Sequence, residues 1–160
     1  MDAIDRQLLA LLQRDSRLSY GDLGARVGLS VSAVNERLKK LAARGVLRAF
    51  VAVVDPPALG LRLCGFVQVL VDRPEHEAAF LARVAQTPEI QECHHVTGDY
   101  SYLLKVRVRD TAHLEALLAD TLKSLPGVIR TQTVVVLSTP KETTEVPVGD
   151  GEAATADAPR

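Results

Sequence analysis

Basic side chains are concentrated in one short part of the sequence. Between residues 23 and 50 six Lys or Arg residues stand against one acid, Glu36, although the whole chain has a formal net charge of −1. Such a local excess suits contact with phosphates, because counterion release depends on the contacting face and not on the total charge. A solvated helix face is the alternative. The six residues are Arg26, Arg37, Lys39, Lys40, Arg44 and Arg48.

Short polar residues next to this basic stretch could read base edges. Asn35 suits adenine, Ser32 can donate or accept a hydrogen bond, and the Ala33 methyl group could touch a thymine methyl group. The basic residues further along better suit phosphates, and Arg26 could hold the flanking backbone. The candidate DNA-contacting residues are Arg26, Ser30, Ser32, Ala33, Asn35, Arg37, Lys39, Lys40 and Arg44.

Three short helices are predicted to position these residues. Apolar residues at helical spacing (Ile4, Leu8, Leu11 and Leu12) predict a first helix over 2–14. Ser19 and Asp22 fit a capping box and predict a second helix over 20–27, which Gly28 ends.

The third helix is predicted over 31–44, with Ser30 as its N-cap and Gly45 at its end. A helix, a tight turn and a second capped helix form the helix-turn-helix geometry that places a helix in the major groove. A small helical oligomerisation unit is the alternative. The buried stripe of this helix is expected to contain Val31, Val34, Leu38 and Leu41.

After Gly45 the apolar spacing changes from helical to alternating, and 46–54 is predicted as a strand that leads out of the helical domain. The next pattern predicts strand, helix, strand, strand, helix and strand over 62–72, 74–87, 90–97, 100–109, 111–124 and 128–137. This order is that of a ferredoxin-like βαββαβ sandwich with both helices on one face of the sheet. Apolar residues on the opposite face would favour pairing with a second copy.

The predicted fold class is therefore α+β, with an N-terminal helix-turn-helix (winged-helix-like) domain and a C-terminal sandwich. Its parts are a helix-turn-helix domain over 1–46, a hinge strand and linker over 47–60, an α/β effector-binding and oligomerisation domain over 61–138, and a disordered tail over 139–160. The tail prediction rests on a composition of Pro, Gly, Ala, Thr and acids without periodicity.

Several classes of protein are disfavoured by the sequence. No apolar run is long enough for a bilayer, and the acidic N-terminus lacks the pattern of a secretion signal, so a cytoplasmic protein without membrane contact is expected. Cys64 and Cys93 do not make a disulfide framework. In Cys93-His94-His95, Cys93 and His95 share one face of the predicted strand and His94 points to the other. Two ligands do not complete a zinc site. No motif predicts a catalytic residue, a metal or a cofactor.

Short motifs along the two halves of the chain, taken together and in order, resemble those of one known family. They are Ile4-Asp5-Arg6 with Leu8-Leu9 and Leu11-Leu12, Leu23 to Gly28-Leu29-Ser30, Glu36-Arg37 with Leu38 and Leu41, Gly45-Val46, Ile90-Gln91-Glu92-Cys93-His94, Gly98-Asp99-Tyr100, Tyr102-Leu103-Leu104-Lys105, and Leu125-Pro126-Gly127-Val128. The sequence from 2 to 138 thereby resembles the leucine-responsive/asparagine regulator family (Lrp/AsnC), also called feast/famine regulators.

The resemblance implies a cytoplasmic transcription regulator that binds double-stranded DNA and responds to a small-molecule effector, an amino acid. It also implies homodimers that assemble into tetramers or octamers and bind the effector between dimers. Many members have Pro directly after the cap of the third helix, where this sequence has Val31. Pro there pre-sets the first helical turn, so this chain must enter the helix without that aid.

The resemblance assigns the effector role to Gly98-Asp99-Tyr100 and Tyr102, and more loosely to Thr131, Gln132 and Thr133. The segment from Thr97 to Tyr100 is also predicted to be a tight hairpin turn between antiparallel strands. A glycine turn exposes backbone N–H groups to a carboxylate, and Asp99 can receive an ammonium group. An amino acid offers both groups.

Two other functions compete with this interpretation. A group of haem-pathway decarboxylases resembles the same two-domain plan and holds a tetrapyrrole with His and Arg residues, but the Gly98-Asp99-Tyr100 loop is typical of the regulators. The C-terminal domain could also serve oligomerisation alone, without a ligand.

Overall fold

The computed structural model describes residues 1–149. Two units are distinguished within it, one from Met1–Ala52 with the segment that starts at Glu142, the other from Val53–Lys141. None of the described helices is long and apolar enough to cross a membrane.

The first unit contains three helices, α1 (Ala3–Arg14), α2 (Tyr20–Val27) and α3 (Val31–Ala43), as predicted to within a residue at each end. Its described residues form no strand, so they contribute no wing to the helix-turn-helix.

The predicted caps of α2 and α3 are present. The Ser19 hydroxyl accepts a hydrogen bond from the backbone N–H of Asp22 at 3.1 Å, and the Asp22 carboxylate accepts one from the Ser19 N–H at 3.3 Å. The Ser30 hydroxyl accepts from the N–H of Ala33 at 3.2 Å. Gly28 ends α2 with a φ of 72°, a left-handed conformation that costs glycine little. Local side-chain chemistry therefore fixes both ends of the turn.

The core of the first unit lies between the three helices and consists of leucines and one valine. The prediction for α3 is right at three of its four positions, because Val34, Leu38 and Leu41 are buried. It is wrong for Val31, whose side chain is 55% exposed. Val31 is the first residue of the helix and lies less than one turn from the cap, where the side chain points away from the core. The buried residues are Leu8, Leu9, Leu12, Leu23, Val34, Leu38 and Leu41.

The predicted strand over 46–54, and with it the hinge strand within 47–60, is a second error. This segment forms no strand with any described part of the chain, and Phe50 and Val53 are exposed. Its alternating pattern favours an extended backbone, but a strand also needs a hydrogen-bonding neighbour. Between α3 and the sheet, the described residues form one regular element, a short 3₁₀ turn at Pro57–Leu59.

The second unit has the predicted ferredoxin-like order. Its elements are β1 (Leu63–Val71), α4 (Pro74–Ala85), β2 (Ile90–His95), β3 (Tyr102–Val108), α5 (Thr111–Ala116) and β4 (Val128–Val135). The four strands form one antiparallel sheet in the order β2-β3-β1-β4. The predicted helix over 111–124 continues beyond α5 as a π-helical stretch, Leu117–Leu122.

The two faces of the sheet differ in character. Alternate residues of β1 and β3, with Phe80, Val84, Leu114, Leu117 and Leu122 from the helices, form the core, and Val67, Val69, Leu104 and Val106 are fully buried there. The register places the other alternate residues on the second face, here called the open face. Its residues include Cys64, Phe66, Gln68, Leu70, Leu103, Lys105, Arg107, Arg130, Gln132 and Val134.

The tail predicted to be disordered from residue 139 is only partly described. Residues 139–149 contain neither helix nor strand, yet from Glu142 onward they belong to the first unit. The prediction for 150–160 lies outside the described residues.

Gly24 tests the packing of α2 against the turn. A Cβ atom at this position would collide with the backbone carbonyl oxygen of Leu29, whose N–H donates to the Gly24 carbonyl at 2.9 Å. We expect Gly24→Ala to lower the free energy of unfolding by about 1–3 kcal/mol, because the backbone of the turn must move. Denaturant unfolding followed by circular dichroism measures this loss.

Gly21→Ala is the matched control in the same helix. A Cβ there meets the Ser19 hydroxyl oxygen only at 3.6 Å, an ordinary contact. This variant should gain up to about 1 kcal/mol from the better helix propensity of alanine. Equal effects of the two substitutions would contradict the assigned packing of the turn.

Candidate nucleic-acid interface and effector site

Helix α3 presents its candidate residues on two sides. Val31, Asn35 and Lys39 are spaced four residues apart and therefore lie along one line on the helix surface. Val31 and Lys39 are exposed, and Asn35 is half-buried. Ser32 is exposed beside this line. The structure thus places three predicted residues, Ser32, Asn35 and Lys39, next to Val31. We call these four residues the outer side of α3.

Ser30 has a structural task at the start of α3. Besides capping the helix, its hydroxyl oxygen lies 3.0 Å from that of Ser32. A hydroxyl that accepts from the helix backbone still has one proton to donate, and Ser30 can give it either to Ser32 or to a phosphate.

The second side of α3 borders a cavity of about 330 Å³. Lys40 and Arg44 are exposed at this cavity, while Ala33 is half-buried and is better explained as a small residue beside α1 than as a base contact. The cavity is lined by Asp5, Ala33, Glu36, Arg37, Lys40, Leu41 and Arg44.

Arg37 contacts acids of its own chain. Its guanidinium donates to the carboxylates of Asp2 at 2.7 Å and Asp5 at 2.8 Å, and these bonds raise the pKa of Arg37. The Asp2 pKa is lowered, first by the hydrogen bond from the N–H of Asp5 and then by that from Arg37. Arg37 thus ties α3 to the start of α1, which removes it from our set of DNA contacts.

The sequence contained a signal for this role that the prediction missed. Positions 34, 37, 38 and 41 follow the spacing of an inner helix stripe, and a charge among buried residues needs a partner. Asp2 and Asp5 also form a capping box at the start of α1, so the acids that hold Arg37 are themselves held by the helix backbone.

The two other basic candidates have weaker acidic neighbours. Lys39 lies 3.9 Å from the carboxylate of Glu36, one turn away, with both side chains well exposed. Arg26 is exposed in the last turn of α2, one turn after Asp22. The Asp22 pKa is lowered chiefly by the hydrogen bond from the Ser19 hydroxyl, and Arg26 contributes only the smallest of the causes. Both cations therefore remain available to a phosphate.

The predicted effector turn joins β2 to β3. Gly98 has a φ of 109°, which favours glycine, and Asp99 is exposed beside it. The Tyr100 hydroxyl donates to the Gln132 side-chain oxygen at 3.0 Å. Two of the predicted effector residues, Tyr100 and Gln132, are therefore in direct contact, and Asp99 precedes Tyr100 in the turn.

Arg130 joins this group and was not foreseen. Its guanidinium carbon lies 4.6 Å from the centre of the Tyr100 ring, and one of its N–H groups donates to the carbonyl oxygen of Asp99 at 3.3 Å. A cation that faces a tyrosine ring and borders a glycine turn adds a binding group for a carboxylate. We call Gly98, Asp99, Tyr100, Arg130 and Gln132 the turn cluster.

Three predicted effector residues lie elsewhere. Tyr102 is buried in the core, with ring centroids 4.8 Å from Phe80 and 5.1 Å from His95, and burial is the first cause of its raised pKa. Thr131 and Thr133 pair with core residues of β1 across the sheet, so they face the helices. Gln132 faces the opposite side.

Cys93, His94 and His95 alternate along β2 as predicted. Cys93 packs against the core and burial raises its pKa, while His94 lies 3.1 Å from Glu92, whose pKa this hydrogen bond lowers. Within residues 1–149, no three side chains of His, Cys, Asp or Glu are grouped so that they could hold a metal ion.

Two family models match the chain. The AsnC-type helix-turn-helix domain matches residues 1–42, and the Lrp/AsnC ligand binding domain matches residues 64–146. The chain belongs to the Lrp/AsnC family. The two matches fall on the three helices and on the sheet unit, so the resemblance stated from the sequence is confirmed.

Similar proteins of this family are transcription regulators. The chain is 37% identical over 148 residues to the HTH-type transcriptional regulator FL11 of Pyrococcus abyssi, covering 92% of this chain and 97% of that one. It is 42% identical over 144 residues to the leucine-responsive regulatory protein of Salmonella typhimurium, covering 89% and 88%. A transcriptional regulator of Neisseria meningitidis, solved as a complex with L-Met, superimposes with a TM-score of 0.88 at 34% identity, covering 92% and 97%.

The ion pairs of Arg37 make the helix-turn-helix unit sensitive to acid. The depressed pKa of Asp2 means that its contribution is complete at neutral pH and is lost as the pH falls below about 4, through the unfolded and then the folded value. We expect Arg37→Gln to lower the melting temperature at pH 7 and to flatten part of its decline below about pH 4, because the hydrogen bond from the Asp5 N–H to Asp2 remains in this variant. Thermal melts across this range measure both.

Lys39→Gln is the control, since Lys39 makes only an exposed contact with Glu36 on the same helix. Its free energy of unfolding should lie within about 0.5 kcal/mol of that of the parent protein. Identical melting of the two variants at neutral pH would show that Arg37 does not tie the helices together.

Proposed function

We propose that this chain regulates transcription by binding duplex DNA through the outer side of α3. The observation that carries the proposal is the row formed by exposed Ser32, half-buried Asn35 and exposed Lys39 on a helix whose inner side is buried in an AsnC-type helix-turn-helix. Hydroxyl and amide groups at the start of such a helix can meet base edges. The Val31 side chain, exposed at the same end, is available to a thymine methyl group.

Phosphate contacts would come from basic residues around this row. Lys39, Lys40 and Arg44 follow one another along the second half of α3, and Arg26 lies on α2. Their exposed cations supply attraction that does not depend on sequence, while the row on the outer side supplies discrimination.

We propose further that the turn cluster binds an amino acid. Asp99 would receive its ammonium group, and the backbone N–H groups of the turn with Arg130 would receive its carboxylate. The similar regulators support this role, since one is named leucine-responsive and another was solved with L-Met. Binding would act by favouring one assembly or one DNA-binding arrangement over another.

A homodimer that assembles into larger oligomers is the form that we propose. The open face supports pairing between copies, because Phe66, Leu70, Leu103 and Val134 lie on it and Val134 is 53% exposed. We also propose that the protein works in the cytoplasm and is not an enzyme, which agrees with the regulators to which it is similar.

The phosphate-contact role predicts a change in salt dependence. We expect the double variant Lys39→Ala, Lys40→Ala to bind DNA more weakly and to reduce the log–log slope of affinity against salt by about 2. Titration of labelled DNA at several salt concentrations measures both quantities.

The control is the double variant Arg83→Ala, Lys123→Ala, which removes two exposed cations from the second unit. It should leave the affinity and the slope as they are. An unchanged slope in the Lys39, Lys40 variant would remove α3 from the interface.

The effector role predicts a defined loss of amino-acid binding. Isothermal titration with each of the twenty amino acids should give heat for one or a few of them, and Asp99→Asn should weaken that binding about tenfold or more, because the ammonium loses a charged acceptor. Asp120→Asn, an exposed acid in the second unit, is the control and should bind as the parent does. Heat from none of the twenty would overturn the amino-acid proposal.

A further inference from the structure

The described end of the chain contacts the outer side of α1. The contacts are made by residues 143–149, here called the strap, which contain no helix or strand. On α1 the strap contacts three polar residues, Arg6, Gln13 and Arg14. Arg6 lies about two helical turns before the other two.

Gln13 holds the strap by its backbone. Its side-chain N–H group donates to the carbonyl oxygen of Val146 at 3.0 Å, and its side-chain oxygen accepts from the Val146 N–H at 2.7 Å. Both backbone groups of one residue are thus satisfied by one amide side chain, as they would be by a neighbouring strand. This pairing recognises an extended backbone, so chain conformation matters more here than the Val146 side chain, which is 63% exposed.

Contacts on either side fix the direction of the strap. Arg14 lies 3.7 Å from the carboxylate of Glu145, and Arg6 donates to the backbone carbonyl of Gly149. Between them, Val148 packs against the leucine core of the three helices. An apolar anchor, a paired backbone and two arginine contacts therefore occur within five consecutive residues, from Glu145 to Gly149.

The strap sequence favours the extended form before docking. Pro147 restricts its own φ and keeps Val146 away from helical conformations. The N–H of Glu145 donates to the Thr143 hydroxyl at 3.0 Å, a local turn at the start of the segment. Less conformational entropy is then lost on docking.

We propose that the strap is a second tether of the helix-turn-helix unit. The chain leaves this unit once near Ala52 and returns to it at Glu142, only a few residues after β4. With the strap docked, two chain segments connect α1–α3 to the second unit, and without it only the linker at 47–60 remains. A shorter and stiffer connection raises the effective concentration of one helix-turn-helix unit at a half-site when its partner copy has bound the other.

The docking is also releasable. Its hydrogen bonds and its ion pair are exposed, and such contacts contribute little one by one. The strap can therefore leave α1 without unfolding the helices, which keep their own core. The role of the tether in DNA binding rests on the proposed function, whereas the docking itself does not.

Hydrogen exchange followed by mass spectrometry tests the docking in the full chain. We expect the peptide that covers the strap to exchange more slowly in the parent protein than in either of two variants. Gln13→Ala removes the side chain that makes both hydrogen bonds, and Val146→Pro removes the Val146 N–H that donates to it. Gln7→Ala is the matched control, because Gln7 is an exposed glutamine on the same helix. Strap exchange as fast in the parent as in both variants would overturn the docking.

DNA binding tests the tether. A duplex with two half-sites is selected from a random pool with the parent protein, and a second duplex has one half-site scrambled. Gln13→Ala should weaken binding to the first duplex by roughly threefold or more and leave binding to the second unchanged, since only the first depends on effective concentration. Gln7→Ala should bind both as the parent does.

Two results would overturn the tether role: unchanged affinity of Gln13→Ala for both duplexes, or an equal loss on both. A parent protein that binds no duplex from the pool at low salt would overturn the proposed function and the tether role with it. The exchange measurement would still decide whether the strap docks on α1.

Discussion

Everything that α3 can do on its outer side depends on the burial of its inner side. Val34, Leu38 and Leu41 are removed from water by α1 and α2, and each such burial stabilises the unit by about 1.5–3 kcal/mol. The exposed ion pair of Lys39 with Glu36 contributes less than any one of them. Burial of apolar side chains therefore holds the helix in place. The polar residues of the outer side are not needed for stability and can serve binding instead.

Arg37 adds orientation to this apolar contact. Leucine side chains on two helices can slide or rotate past one another at modest cost, whereas a guanidinium between Asp2 and Asp5 has one favourable geometry. The acids are themselves fixed by the capping box of α1, so the start of one helix sets the rotation of the other. The proposed contact of α3 with base edges requires a fixed rotation of this helix, and Arg37 supplies it.

Features fixed by local chemistry could be predicted from the sequence, and features that need a distant partner could not. Ser19, Ser30 and Gly28 act on neighbouring backbone, so their roles followed from spacing alone. The strand at 46–54 failed because an alternating pattern does not supply a neighbour. The role of Arg37 required two acids from another helix, although its inner position was readable from the leucine spacing.

The effector residues show the same division within a single strand. Alternation along β4 means that Thr131 and Gln132 cannot share a face, so a site containing both with Thr133 was already inconsistent with the predicted strand. The same argument placed Tyr102 with Leu104 in the core. Arg130 was beyond such reasoning, since its contact with Tyr100 joins the β2–β3 turn to β4, two segments that the sequence separates by about 30 residues. Because that contact ends on β4, a ligand that moved Arg130 would act on the strand from which the chain continues into residues 136–149. From Arg130 the chain runs along the rest of β4 and re-enters the first unit at Glu142, about a dozen residues later.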